Sequence, residues 1–83
     1  MAAEALNFKK VPKVIGIKQS IKAVGKEIAL KVYLADDADI RIILPLQQAC
    51  QDQAVPIVGG SSMEELGAAC GIDVGAAAIT ILK

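Results

Sequence analysis

The sequence contains no histidine and no tryptophan, and it has a single tyrosine and a single phenylalanine. Without histidine there is no imidazole to activate a serine or cysteine nucleophile, and the commonest zinc ligand is missing. The two cysteines, Cys50 and Cys70, lie in apolar surroundings and do not form a CxxC pair. Such cysteines read as small buried hydrophobes rather than as metal ligands or a disulfide framework. No catalytic residue, no metal and no cofactor are therefore expected. No run of about 18 apolar residues occurs, so no membrane-spanning helix is expected. The N-terminus lacks a charged leader followed by an apolar stretch, which points to the cytoplasm.

What the chain does have is aliphatic bulk: 54% of its 83 residues are hydrophobic. That length predicts one domain over residues 1–83. A chain this small buries only roughly 60% of the surface exposed by its unfolded form. Its core must be built from Ile, Leu, Val and Ala, which suits thin layers of helix on sheet.

The formal net charge is zero, but the charges are segregated. Residues 1 to 31 hold seven lysines (Lys9, Lys10, Lys13, Lys18, Lys22, Lys26, Lys31) against Glu4 and Glu27, a net of +5. Residues 32 to 83 hold Arg41 and Lys83 against five aspartates and two glutamates, a net of −5. A basic half can attract an anion whatever the overall charge. The alternative is that the lysines only solvate the surface.

Helical and extended patterns alternate along the chain. Residues 2 to 8 predict a short helix, and Val14-Ile15 a short strand ending at Gly16. Ile17, Ile21 and Val24 then recur at helical spacing, with Gly25 as a left-handed stop. Ile28 to Ala35 reads as a buried strand. Asp36 to Asp39 marks a loop and a candidate helix start. Pro45 places the next helix from about Leu44, with the proline in its first turn. Val55 to Val58 predicts a strand and Gly59-Gly60 a turn. Ser61 or Ser62, with Glu64 or Glu65 three residues on, caps a helix over residues 62–70 that Gly71 ends. Ala76 to Leu82 completes the set. This alternation predicts an α/β fold with a sheet between helices, of unspecified strand order.

Two segments carry candidate chemistry. At Gly16 a glycine opens a helix whose first N–H groups lack internal partners and face outward with a positive dipole end. That is an anion site in form. Lys18, Lys22 and Lys26 follow as a stripe off the apolar face, and the Gln19 amide can meet a base edge. An ordinary solvated amphipathic helix is the competing reading. The second segment, Gly71 to Ala78, places Ile72 and Val74 between glycines, where periodicity gives them no core role. Exposed, they suit an unstacked base. Folded back, they belong to the core. Val58 to Ser62 lacks the phosphate-loop pattern and its lysine, so it reads as a helix cap. Asp36-Asp37-Ala38-Asp39 lacks calcium-loop spacing and reads as a solvated turn.

Three blocks, Gly16 to Val24, Val32 to Asp39 and Leu66 to Ala78, together resemble the kink-turn-binding ribosomal protein family, often written L-seven-Ae. The likeness spans about residues 12 to 82 and is closest to its small bacterial members. It implies a three-layer α/β/α sandwich with a mixed four-stranded sheet. It also implies binding of kink-turns, in which a bulge and tandem sheared G·A pairs bend an RNA duplex. By the resemblance, Gly16, Ile17, Lys18, Gln19 and Lys22 would meet the groove at the G·A pairs. Ile72, Asp73, Val74, Gly75 and Ala76 would line the bulge. Many members carry Asn-Glu where this chain has Lys18-Gln19. A neutral amide accepts more weakly than a carboxylate, so base discrimination should fall while backbone attraction rises. The tight link Val24-Gly25-Lys26-Glu27 should move Lys26 off the stripe.

The functional expectation is a monomeric, non-enzymatic binder of structured RNA, ribosomal or regulatory. A rival is a protein-assembly module that uses the same apolar loop. A weaker one is a nucleotide binder at Gly59-Gly60.

Overall fold

The computed structural model describes residues 7–83, so the helix expected over residues 2 to 8 lies almost wholly outside the described residues. Seven elements follow: β1 (Lys13–Ile15), α1 (Ile17–Gly25), β2 (Ala29–Ala35), α2 (Ile40–Gln53), β3 (Ile57–Ser61), α3 (Met63–Ala69) and β4 (Ala78–Leu82). The strands form one mixed sheet in the order β1-β4-β2-β3. The last strand pairs antiparallel with both β1 and β2, while β2 and β3 run parallel. The expected α/β class and mixed four-stranded sheet are what the chain adopts.

The sheet is covered on both faces. Val32, Leu34 and Ala78 pack with Val24 of α1 and with Ile43, Leu46 and Cys50 of α2. Ile79 and Ile81 pack on the opposite face with Leu66 and Ala69 of α3 and with Phe8. This explains why β4 is apolar at consecutive positions rather than alternating. Aliphatic side chains and Cys50 fill the first layer, while the second also holds Phe8 with Tyr33 packed against it.

Four local expectations need correction. Helix α2 starts at Ile40, not Leu44, and Pro45 is its sixth residue. The ring removes the N–H that would have bonded the Arg41 carbonyl. Both residues are exposed, so water can meet that carbonyl. Gly25 is the last residue of α1 rather than a left-handed stop; the positive φ falls on Glu27, at 60°. Gly59-Gly60 does not turn the chain but lies inside β3. Tyr33 pairs with Val58 and Ala35 with Ser61, so one residue of β2 faces both glycines across a bulge, with Gly60 at φ 101°. Finally, β2 is not buried throughout. A register shift between Ala29 and Lys31 leaves Leu30 half in water.

The α3 expectation holds in detail. Ser62 Oγ accepts from the Glu65 N–H, and the Glu65 carboxylate accepts from the Ser62 N–H. Gly71, at φ 77°, ends the turn that follows.

Two buried hydroxyls, on Ser20 and Thr80, have no hydrogen-bond partner among the described residues. An unmet buried hydroxyl costs about 1–3 kcal/mol. Thr80→Val keeps the shape and removes the hydroxyl, so it should raise stability by about 1 kcal/mol. Urea denaturation would read this as a higher midpoint; a lower one would show that the hydroxyl is bonded.

Candidate nucleic-acid interface

Gly16 is the N-cap of α1, with φ 104° and ψ 161°. Only glycine adopts that conformation without strain. A Cβ placed there would meet nothing within 4 Å, so the space beside it is open to a ligand. No side chain caps this helix and its first turn holds no acid, so its outward N–H groups are unmet by a side chain. The other two helices are capped, α2 by Asp39 and α3 by Ser62. Lys18, Gln19 and Lys22 are exposed, while Ile17 and Ile21 are partly buried against the core. Lys26 is the C-cap of α1, and its N–H donates to the Lys22 carbonyl at 3.0 Å, so its backbone stays one turn beyond Lys22. Among the described residues the ion pair is Arg41 with Asp39, at 2.8 Å, and it leaves the α1 lysines unpaired.

The segment between α3 and β4 folds back along α3. The Ile72 N–H donates to the Gly67 carbonyl at 3.1 Å, and the Ala76 N–H to the Met63 carbonyl at 3.0 Å. A Cβ on Gly67 would collide with the Val74 carbonyl, and one on Gly75 would come within 3.1 Å of Met63 Cβ. These glycines let backbone lie directly on helix. The result puts Val74 outward, 69% exposed. Asp73 and Gly75 are also exposed, and Ile72 is half-buried. Ala76 differs from the expectation: it is 3% exposed and packs in the core, so its side chain offers nothing to a ligand. Its part is to fix where the segment ends.

One backbone bond ties the α1 start to the end of the second segment, and another ties that segment to β2. The Gly16 N–H donates to the Ala78 carbonyl at 2.8 Å, and the Ala35 N–H to the Ala77 carbonyl at 2.9 Å. The basic helix start and the Val74 segment therefore sit together at one end of the sheet.

The acidic run beside them serves the fold. Asp36 accepts from the Gly60 N–H and Asp37 from the Met63 N–H. Asp39 accepts from the Arg41 N–H and guanidinium, which hold its carboxyl below the usual range.

One feature at this end escaped sequence reasoning. Ile40, Ile42 and Leu44, at the start of α2, are 58%, 54% and 46% exposed. Their signal was Asp39, a good N-cap just ahead of an apolar run, and Pro45 obscured it.

The profile of the Ribosomal protein L7Ae/L30e/S12e/Gadd45 family matches residues 3–83. The chain belongs to this family. Among its relatives, an RNA-binding protein of Geobacillus thermodenitrificans is 47% identical over 70 residues, covering 84% of this chain and 85% of the relative. An RNA-binding protein of Halalkalibacterium halodurans is 43% identical over the same length and coverage. Among solved structures, the Giardia lamblia 15.5kD RNA binding protein superposes with a TM-score of 0.82 at 37% identity. That match covers 87% of this chain and 61% of the Giardia chain. Family and relatives accord with a binding protein rather than an enzyme.

Proposed function

We propose that this member of the family binds RNA bent as in a kink-turn, in a ribosomal or structured regulatory setting. In this reading the α1 start enters the groove with Gly16, Ile17, Lys18, Gln19 and Lys22. Ile72, Asp73, Val74 and Gly75 cover the bulged nucleotides, and Ala76 anchors them. The observation that carries the reading is the backbone bond from the Gly16 N–H to the Ala78 carbonyl, where the outward segment ends. It brings an uncapped, lysine-bearing helix start beside an outward apolar segment. A sharply bent duplex needs both: cationic contact with backbone, and an apolar surface for bases that have left the stack. The relatives named RNA-binding proteins support the RNA-binding part of this reading.

Titration of a kink-turn duplex against a straight duplex of equal length tests it. Binding of the bent RNA should be at least about tenfold tighter, as expected when bound bases supply a few kcal/mol beyond phosphate attraction. Equal affinity would sink the proposal. With Lys18 and Lys22 on phosphates, this interface should contribute about −1.4 to −1.8 to the logarithmic salt slope. Lys22→Ala should weaken binding and make that slope shallower by about 0.7 to 0.9.

The rival reading, a protein-assembly module, draws on Val74 together with exposed Ile40, Ile42 and Leu44. Light scattering over a concentration series separates the two, since self-association without RNA affinity would favour the rival.

A further inference from the structure

Three lysines of the basic half, Lys9, Lys10 and Lys13, have no part in the interface described above. Their placement is well determined by the fold. Phe8 is buried, stacks on Tyr33 with ring centroids 4.8 Å apart, and donates its N–H to the Ala69 carbonyl at the end of α3. The Val11 N–H returns to the Phe8 carbonyl at 3.2 Å, closing a turn with Lys9 and Lys10 at its two central positions. Asn7 Oδ1 accepts from the Lys9 N–H at 3.1 Å. The Lys9 stem lies across Gly71, its Cε 3.2 Å from where a Cβ on that glycine would stand. The apolar stem is thus packed while the residue as a whole remains exposed.

Gly71 is where the Val74 segment begins, and Ala78, bonded to Gly16, is where it ends. A ligand lying along that segment from the α1 start therefore arrives at Lys9 and Lys10. Lys13 adds a third positive charge close to Cys70.

We infer that the Lys9-Lys10 turn is a second phosphate contact of the RNA site, gripping the duplex arm that leaves along residues 71–77 while Lys18 and Lys22 hold the other. The inference rests on the RNA-binding reading above. A cation near the end of α3 could also serve the helix dipole. That role would show in stability, not in salt dependence of binding. Both lysines stand in a turn anchored by Phe8 and closed by the Val11–Phe8 bond, so little loop ordering is left to be lost on binding.

The test is a salt titration of full-length wild type and Lys9→Gln/Lys10→Gln, each with kink-turn and straight duplexes. Thermal melts of both proteins check that the fold is unchanged. Two lost contacts should make the kink-turn slope shallower by about 1.4 to 1.8 and weaken binding on the order of tenfold at moderate salt. Shortening the arm on the 71–77 side should abolish the difference between wild type and variant, whereas shortening the other arm should preserve it. An unchanged slope and affinity in the variant would overturn the second contact and leave the α1 site standing. A difference that follows the other arm would overturn the placement. Wild type binding both duplexes equally would overturn the RNA site and this extension together.

Discussion

Gly67→Ala is expected to lower stability by about 1–3 kcal/mol, the usual range for overpacking, and to weaken RNA binding on the order of 10- to 100-fold. Helix propensity pulls the other way, because alanine is favoured over glycine inside a helix by about 1 kcal/mol. The collision decides the sign. The atom in the way is the Val74 carbonyl oxygen, which is backbone and cannot rotate aside. Relief requires the 71–77 segment to lift from α3, loosening the bonds from Ile72 to Gly67 and from Ala76 to Met63. Restoring the bound arrangement then costs each binding event about the energy that displaced it, and apparent affinity falls by that factor. The neighbouring Ala68 is exposed, so Ala68→Ser is a control that should change neither property much. Urea denaturation and fluorescence anisotropy with a labelled kink-turn measure the two effects. If Gly67→Ala stays within about 0.5 kcal/mol of wild type, the ordinary range for surface substitutions, and keeps its affinity, the packing account is wrong.

The same collision shows why some of the site was legible and some was not. Ile17, Ile21 and Val24 state a helix by period, and Ser62 with Glu65 states a cap by chemistry; both are local signals and both hold. Gly67 sits within an apolar helical run, and no local pattern says which backbone will lie against it. That depends on β4 inserting between β1 and β2, a pairing between residues far apart in sequence. The double glycine misled for a related reason. Gly59-Gly60 has the composition of a turn, yet Asp36, far along the chain, accepts from the Gly60 N–H and keeps it in the sheet as a bulge. Pro45 misled by rule, since an exposed proline one turn deeper than usual is tolerated when its orphaned carbonyl faces water. Local chemistry marks Gly16, Lys18, Gln19, Lys22, Ile72 and Val74, the resemblance adds Ile17, Asp73, Gly75 and Ala76, and the fold sorts them further. Gly16 has open space beside it and Val74 is exposed, whereas Ala76 is built into the core.

The remaining large effect concerns what the α1 start reads rather than whether it binds. Replacing Lys18-Gln19 by the Asn-Glu pair common in the family, Lys18→Asn/Gln19→Glu, should move affinity and specificity in opposite directions. Removing Lys18 deletes one cation from an exposed, unpaired position, so the salt slope should become shallower by about 0.7 to 0.9 and binding to any duplex should weaken. The glutamate adds a carboxylate beside the unmet N–H groups of α1, where the helix dipole favours negative charge. A carboxylate accepting from a base edge forms a charge-assisted bond, worth about 1.5–3 kcal/mol against about 1 for a neutral pair. Preference for a kink-turn with tandem G·A pairs over the same kink-turn with those pairs replaced should therefore rise about 3- to 30-fold, while binding to a straight duplex falls. Competition titrations with the three RNAs at fixed salt resolve the two effects. A variant that loses affinity for all three in equal proportion would show that position 19 does not face the bases. The groove assignment of the helix start would then have to be withdrawn, even with Gly16 and Lys22 still in contact with the backbone.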